Sequence, residues 1–378
     1  MIKTVLFDVD GVFLSEERCF DASALSVWEL LYSPKYVGLS TERFSPSPEE
    51  DDIRRIRQLV FADDEVLNFI KSRGINSNWD MVFLTTAYQL LFLLKKLAAK
   101  SPKFVESTLK KPIGQSELQA IGRAVVENDL SFTPAFSNFT RDFSRTQAEK
   151  QEILLFLNEL SQEWMQVETN LFSRNSQLWE LGRNVYQEWY LGDAYYEKSE
   201  GQPPSVTGKP GFLENEIMLA DPARVRELLD DLKRKGLSLG IGTGRPYLES
   251  EVPLRSFGLW DCFDPNRIVT ASDVIDAEQA YPERAPLAKP QPFTYVKGLI
   301  GRDRSSKEVL SEPLPIANGA EVLIVGDSVA DFMAARSMGC QFAATLTGLS
   351  GQAAREEFEQ LQADYICDDV LALREVLL

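Results

Sequence analysis

Two carboxylates stand one residue apart directly after a short apolar run. The strand-like run Thr4–Phe7 leads into Asp8 and Asp10, and Gly11 then permits a tight turn. Because side chains alternate in direction along an extended chain, the two carboxylates point the same way. One can attack a phosphoryl group, and the other can protonate the leaving oxygen and later activate water. Taken alone, the pair is equally compatible with acidic residues that end a surface strand.

Two further segments carry groups that suit a phosphate. Thr243 and Gly244 follow the apolar run Leu237–Ile241, and a hydroxyl with backbone N–H groups at the start of a helix can bind phosphate oxygens. Lys289, in the segment K-P-Q-P, can neutralise negative charge on a phosphoryl group and on an attacking carboxylate. Alone, the first is an ordinary strand-to-helix turn and the second a surface lysine. Arg245, which follows Gly244, could contact a substrate, but an arginine that opens a helix is more often solvated, and this is the expectation here.

A second pair of carboxylates follows the apolar run Glu321–Val325. Asp327 stands at the end of this run, and Asp331 lies about one helical turn further on. Two carboxylates at such a place can hold Mg²⁺, which takes few protein oxygens and keeps several waters and a substrate phosphate. The alternative is that either aspartate caps the following helix.

The elements that must position these residues are of two kinds. From residue 212 onward, apolar runs alternate with helical patterns, which indicates a parallel sheet with helices on both faces. We expect residues 1–14 and 212–378 to form this α/β core. Residues 15–200 are instead predicted to form an all-α domain. The Pro- and Gly-rich residues 201–211 are predicted to be a linker back to the core. Because ligands of parallel sheets sit at the carboxyl ends of the strands, an insertion emerging just after Asp10 is expected to act as a cap.

The helical block is predicted from apolar residues that recur at helical spacing. The predicted stretches are Ser23–Tyr32, Glu49–Phe61, Asp63–Ser72, Asn78–Ala99, Ser116–Glu127, Ser144–Gln166 and Ser176–Lys198. Its aromatic side chains are expected to pack between helices and not to form a ligand site. The most apolar stretch, Met81–Leu94, is interrupted by polar residues and is expected to be a buried helix and not a membrane span.

Composition excludes several kinds of chemistry. The chain of 378 residues has no histidine, so catalytic triads, phosphohistidine intermediates and His-ligated zinc are ruled out. With 40 basic and 57 acidic side chains, the net charge of −17 argues against nucleic-acid or anionic-membrane partners. The four dispersed cysteines are expected to be reduced and mostly buried, and we expect a cytoplasmic protein.

Taken together, the four signals occur in an order that resembles one family. The segments D-x-D-G-V, T-G-R, K-P-x-P and G-D-S-x-x-D follow one another at residues 8–12, 243–245, 289–292 and 326–331. This order resembles the haloacid dehalogenase-like (HAD) hydrolase superfamily over residues 1–14 and about 212–378. The resemblance implies a Rossmann-like core with a central first strand, a helical cap, and Mg²⁺-dependent phosphoryl transfer through an aspartyl-phosphate. The insertion is much larger than the usual cap of this type.

The resemblance also implies a role for each residue that matches the motifs. Asp8 would be the nucleophile and Asp10 the general acid/base. Thr243 and Gly244 would bind the transferring phosphate, and Lys289 would stabilise both the phosphate and Asp8.

The metal ligands follow from the same resemblance. Mg²⁺ would be held by Asp8, by the backbone carbonyl of Asp10 and by Asp327. Asp331 would ligate the metal through water or orient Lys289.

The predicted function is therefore a Mg²⁺-dependent phosphatase acting on a small phosphorylated metabolite. Asp10 argues against a dehalogenase, which needs no acid to protonate a departing alkoxide. Two alternatives stay open: a phosphomutase built on the same core, and an inactive binding or regulatory protein. The identity of the substrate is expected to depend on side chains of the helical insertion.

Overall fold

The computed structural model describes residues 2–75 and 77–378. The chain forms two compact units. One contains Met1–Glu17 and Leu213–Leu378, and the other contains Arg18–Phe212. The first unit is called the sheet unit below, and the second the helical unit.

The sheet unit is built on six parallel strands, as the sequence predicts. The strands are β1 (Thr4–Phe7), β2 (Ser238–Gly242), β3 (Ile268–Val269), β4 (Val322–Gly326), β5 (Gln341–Thr345) and β6 (Tyr365–Cys367). Their order is β3-β2-β1-β4-β5-β6, so the first strand is central and the predicted α/β fold class is confirmed. Phe7, the last residue of β1, is in register with Ile241 on β2 and Val325 on β4. The residues that follow these three strands therefore emerge at the same edge of the sheet.

The helical unit consists of helices that pack on one another. They are α1 (Glu17–Tyr32), α2 (Glu50–Val60), α3 (Glu65–Ser72), α4 (Asn78–Ala98), α5 (Pro102–Thr108), α6 (Gln115–Glu127), α7 (Asn138–Phe143), α8 (Glu152–Met165) and α9 (Gln177–Glu200). By length and composition α4 qualifies as a membrane span, but 78% of its most apolar window is buried among its neighbours. The prediction of a buried helix is confirmed at this position.

Helices cover both faces of the sheet. They are α10 (Pro222–Arg234), α11 (Tyr247–Ser256), α12 (Ala271–Ala280), α13 (Phe293–Ile300), α14 (Ser306–Ser311), α15 (Val329–Met338), α16 (Arg355–Gln360) and α17 (Leu373–Leu377). Val5 and Phe7 contribute to a core shared with α10, whereas Leu6 contributes to a second core shared with α13 and α15. This alternation follows from the pleat of β1, which directs successive side chains to opposite faces.

The helical unit departs from the sequence prediction where a helix was expected to begin at Ser144. A separate helix, α7, ends at Phe143, and α8 begins only at Glu152. Lys150 has a left-handed backbone conformation, with φ of 51°, and its N–H donates to the carbonyl oxygen of Arg73. Both features are incompatible with a continuous helix through this segment. The spacing of apolar residues also predicts the start of α1 at Ser23, whereas the helix begins at Glu17, because it is buried on nearly every side and shows little amphipathic pattern.

Residues 201–211, for which composition predicts a linker, pack within the helical unit. The ammonium of Lys209 is fully buried and contacts the carboxylates of Glu29 and Glu188, at 2.8 and 2.5 Å. The backbone N–H groups of Gly208 and Lys209 also donate to Asp193. These contacts fix the segment against α1 and α9. All four cysteines are buried, as predicted.

Candidate active site

Asp8 and Asp10 follow the central strand and are held by a tight turn. The backbone N–H of Val9 donates to Oδ1 of Asp8, and the Asp8 side chain is buried. Gly11 has a φ of 68°, which a residue with a side chain rarely adopts. The hydroxyls of Thr345 and Thr347, on and after β5, donate to the carbonyl oxygen of Gly11 at 3.0 and 2.5 Å. The turn is therefore fixed from a strand two positions away in the sheet.

Lys289 forms ion pairs with residues that follow the first and the fourth strand. Its Nζ lies 2.8 Å from Oδ2 of Asp8 and 2.8 Å from Oδ1 of Asp331. All three side chains are largely or fully buried. Burial alone would lower the pKa of Lys289, but the carboxylates of Asp331 and Asp8 raise it above its ordinary value. The lysine is therefore positively charged and lies between the two carboxylates.

Asp331 is surrounded by donors. The hydroxyl of Tyr295, on α13, donates to Oδ1 at 2.7 Å, and the hydroxyl of Ser328 donates to Oδ2 at 2.6 Å. Ser328 is also the N-cap of α15, since its hydroxyl accepts from the backbone N–H of Asp331. Together with Lys289, these groups occupy both oxygens of Asp331. This arrangement favours the second of its two predicted roles, which is to orient Lys289.

The carboxylates of Asp8, Asp327 and Asp331 form the metal-compatible cluster. Each contributes one oxygen to a set whose members all lie within 4.8 Å of one another. Asp327 is held between two glycines, because a Cβ on Gly11 or Gly348 would lie 2.2 or 2.0 Å from its carboxyl group. Backbone therefore approaches Asp327 closely from two sides, and a larger side chain at either glycine would displace it.

Electrostatic repulsion within this cluster is reflected in the pKa values. Burial raises the pKa of Asp8 to about 7; Lys289 opposes this shift, while the carboxylates of Asp331 and Asp10 add to it. Burial likewise raises the pKa of Asp327 well above its ordinary range, and Asp331 and Asp8 raise it further. Within residues 2–75 and 77–378, Asp327 makes no ion pair to offset its charge. A divalent cation coordinated by these oxygens would lower the electrostatic cost of ionising them, so the donor set fits Mg²⁺.

Thr243 and Gly244 follow β2, the neighbour of the central strand. Thr243 is buried, its N–H donates to the carbonyl oxygen of Val269, and its hydroxyl accepts from the N–H of Arg245 at 3.1 Å. Gly244 is exposed, and a Cβ there would meet nothing within 4 Å. Thr243 and Gly244, two of the three predicted phosphate-binding residues, therefore lie at the edge of the sheet where Asp8 emerges.

Arg245 is buried and ion-paired, which corrects the expectation that it is solvated. Its Nε and Nη2 donate to Oδ1 of Asp10 at 2.8 and 2.6 Å. Its Nη1 donates to Oε1 of Glu216 at 2.7 Å, and the Glu216 side chain is fully buried. The sequence places these three residues far apart, so only the fold brings them together.

The structure thus joins most of the predicted residues directly. Asp8, Lys289, Asp327 and Asp331 form one cluster, and Asp10 lies beside it in the same turn. Sequence reasoning missed a second set of residues that hold these groups, namely Tyr295, Ser328, Glu216, Thr345 and Thr347. Ser328 had a readable signal, because a serine directly before a helix is a typical N-cap. The others had none.

Comparisons with known proteins agree with this arrangement. A family model for haloacid dehalogenase-like hydrolases matches residues 2–339. The X-ray structure of a Northeast Structural Genomics Consortium target is 41% identical, with a TM-score of 0.88, and the match covers 100% of this chain and 98% of that one. No curated protein matches the sequence.

Two more distant solved structures are of a hydrolase and a predicted phosphatase. One is a HAD-superfamily hydrolase, subfamily IA, variant 1, from Geobacter sulfurreducens PCA, with 18% identity, a TM-score of 0.40, and coverage of 100% of this chain and 96% of that one. Another is a predicted phosphoglycolate phosphatase from Haemophilus somnus 129pt, with 15% identity, a TM-score of 0.41, and coverage of 99% and 97%. Both likenesses are too distant to bear on the activity of this chain.

Proposed function

The chain belongs to the haloacid dehalogenase-like hydrolase family, and from this premise we propose that it is a Mg²⁺-dependent phosphatase that hydrolyses a small phosphorylated metabolite through an aspartyl-phosphate. The observation that carries the proposal is the position of Lys289, whose Nζ lies 2.8 Å from both Asp8 and Asp331. A buried ammonium beside a carboxylate at the end of the central strand is suited to an anionic substrate and an attacking aspartate.

In this proposal, Mg²⁺ is held by Asp8, by the backbone carbonyl of Asp10 and by Asp327. When bound, the ion supplies positive charge that reduces repulsion between the attacking carboxylate and the phosphoryl oxygens. Asp331 orients Lys289, because both of its oxygens already accept from protein donors. The remaining steps depend on side chains of the chain itself.

The first half-reaction transfers the phosphoryl group to Asp8. An oxygen of the Asp8 carboxylate forms a bond to phosphorus while the bond to the leaving oxygen breaks. The carboxyl group of Asp10 gives its proton to that leaving oxygen and remains as a carboxylate. Thr243 and the backbone N–H of Gly244 hold the phosphoryl oxygens, and Lys289 neutralises their charge.

The second half-reaction releases inorganic phosphate. The Asp10 carboxylate takes a proton from a water molecule, whose oxygen forms the new bond to phosphorus. The bond between phosphorus and Asp8 breaks, and both aspartates return to their initial states. This cycle needs no histidine, in agreement with the composition of the chain.

The helical unit is proposed to act as the cap that selects the substrate. This role, a cytoplasmic location and the lack of nucleic-acid or membrane partners remain predictions from the sequence. The oligomeric state is left open.

Turnover of p-nitrophenyl phosphate with and without Mg²⁺ tests the proposal, followed by a panel of phosphorylated metabolites. We expect Mg²⁺-dependent release of phosphate by the wild-type protein and loss of turnover in Asp8→Asn. Asp261→Asn is the matched control, because Asp261 is an exposed aspartate of the same unit. A folded protein that hydrolyses no phosphomonoester with Mg²⁺ would contradict the proposal. Interconversion of sugar phosphates that requires a bisphosphate primer would instead indicate a mutase.

A further inference from the structure

Asp10 is held by an arginine that the phosphatase mechanism above does not use. Nε and Nη2 of Arg245 both donate to the same oxygen of Asp10, Oδ1, at 2.8 and 2.6 Å. The Arg245 side chain is 5% exposed, whereas that of Asp10 is 30% exposed. The arginine therefore approaches the carboxyl group from the protein interior, and the solvent-accessible part of Asp10 lies away from it.

Arg245 is itself held from the side opposite Asp10. Its Nη1 donates to the fully buried carboxylate of Glu216 at 2.7 Å and to the carbonyl oxygen of Glu249 at 3.4 Å. Its backbone N–H donates to the hydroxyl of Thr243 at 3.1 Å. These contacts fix the position of the guanidinium group. Because its N–H donors lie in one plane in a fixed arrangement, a guanidinium group that is itself fixed can orient a carboxyl group.

We propose that Arg245 is a positioning residue for Asp10, and that Glu216 holds Arg245 in place for this purpose. The proposal rests on the phosphatase function given above. Because both contacts of Arg245 go to Oδ1 of Asp10, Oδ2 is the oxygen that carries and transfers the proton. As the leaving oxygen takes the proton from Oδ2, the electron pair of the O–H bond stays on Asp10, which becomes a carboxylate. The guanidinium stabilises this developing negative charge where it forms.

A purely structural ion pair would behave differently. If Arg245 served only to neutralise the buried Glu216, its removal would lower stability and affect all substrates alike. A residue that acts through the general acid matters most when the leaving oxygen needs a proton. p-Nitrophenolate is a good leaving group and needs little protonation, whereas phenolate is a poorer one and needs more. The two phosphate esters are similar in shape, so the comparison isolates the departure of the leaving group.

The experiment measures kcat/KM for a series of substituted phenyl phosphates, with Mg²⁺, in wild type, Arg245→Met and Asp10→Asn. For Arg245→Met we expect a loss of less than about tenfold with p-nitrophenyl phosphate and on the order of 100-fold with phenyl phosphate. Arg245→Lys should recover part of the loss with phenyl phosphate, because an ammonium can make one of the two contacts but not both.

Two further comparisons keep the result interpretable. Arg245→Met removes the ion pair between Arg245 and the buried Glu216, so the double variant Arg245→Met/Glu216→Gln is prepared in parallel to remove both charges. Adding Arg245→Met to Asp10→Asn should cause little further loss, because the arginine acts through the aspartate. Arg255→Met is the matched control, since Arg255 forms exposed ion pairs with Glu251 and Asp261 in the same unit.

Each outcome separates the two proposals. No turnover by the wild type would contradict the phosphatase function itself. Turnover by the wild type, with equal losses for all leaving groups in the folded Arg245 variants, would overturn the positioning role alone. The positioning role would also be overturned if the loss of kcat/KM in the Asp10→Asn/Arg245→Met double variant equalled the product of the losses in the two single variants.

Discussion

The hydroxyl of Tyr295 donates a 2.7 Å hydrogen bond to Oδ1 of Asp331, the same oxygen that lies 2.8 Å from Nζ of Lys289. The ring of Tyr295 also lies under this ammonium, with Nζ 4.9 Å from the ring centroid. One buried tyrosine therefore contacts both members of the ion pair that supports the proposed nucleophile.

Tyr295→Phe is expected to lower kcat for p-nitrophenyl phosphate by about tenfold, with little change in KM. The ring stays beneath the ammonium, but Asp331 loses a donor and positions Lys289 less firmly. Loss of a hydrogen bond to a charged group should reduce the free energy of unfolding by about 2 kcal/mol. Steady-state kinetics and urea unfolding measure the two effects.

Tyr365→Phe is the matched control for this change. The hydroxyl of Tyr365 contacts Gln341 on a neighbouring strand of the same sheet and takes no part in the cluster. Equal activity of Tyr295→Phe and wild type would show that the hydroxyl does not support the lysine.

Gly348→Ala is expected to weaken Mg²⁺ binding while the protein still folds. A Cβ at this position would lie 2.0 Å from Oδ2 of Asp327, so the carboxylate must move. Only side-chain atoms of Asp327 and no backbone must give way, so the fold should persist, but the movement displaces a proposed metal ligand. We expect the Mg²⁺ concentration for half-maximal activity to rise about tenfold or more, by analogy with changes that disturb metal ligands. Ser350→Ala, in the same loop, should leave the Mg²⁺ dependence unchanged, and an unchanged value in Gly348→Ala would argue against the assigned ligand.

Mg²⁺ is expected to stabilise the folded protein, because the ion binds a carboxylate cluster that the unfolded chain lacks. At a concentration 100-fold above Kd the gain is about 2.7 kcal/mol. Thermal unfolding with Mg²⁺, with chelator, and with KCl at equal ionic strength measures it.

Asp327→Asn provides the contrasting case for metal binding. The amide removes a negative charge from a cluster whose burial and mutual repulsion raise the pKa of Asp327. In chelator the variant should therefore unfold at a higher temperature than wild type, and Mg²⁺ should add little. A variant that is less stable than wild type in chelator would count against electrostatic repulsion in the cluster.

Glu29 should make the stability of the helical unit depend on pH. Burial raises the pKa of Glu29 from 4.5 to about 7, despite the opposing effect of Lys209, and the carboxylate of Glu188 adds to the shift. Between these two values the folded chain binds more protons at Glu29 than the unfolded chain does. The contribution of Glu29 is therefore most favourable below pH 4.5 and is lost as pH rises to about 7.

The comparison with Glu29→Gln isolates this contribution, because glutamine resembles the protonated acid at every pH. The free energy of unfolding of wild type, relative to Glu29→Gln, should fall by about 3 kcal/mol as pH rises across this interval. Glu197→Gln, an exposed site on α9, should show no such trend. Denaturant unfolding at several pH values gives the difference, and a difference that is constant or rises with pH would contradict the role of Glu29.

Much of the sheet unit could be predicted because its signals are local. The structure gives β1 the same bounds as the apolar run Thr4–Phe7. The bounds of β2 and β4 differ by one residue from the runs Leu237–Ile241 and Glu321–Val325, since each strand is a short apolar segment closed by turn residues. The boundary at Lys150 could not be predicted in this way. Its left-handed conformation is tied to a hydrogen bond with Arg73, which lies far away in the sequence.

Local patterns in the sequence identify the strands and the acidic residues that follow them. They therefore predict that Asp8 and Asp327, with Asp331 about one helical turn further on, share one edge of the sheet. Parallel strands impose this, because their carboxyl ends coincide. The partner of each side chain depends instead on how distant segments pack together. Arg245 holds Asp10, 235 residues before it, and Tyr295 holds Asp331. Such pairs depend on side-chain directions from elements distant in sequence, and no local pattern of residue types encodes these directions.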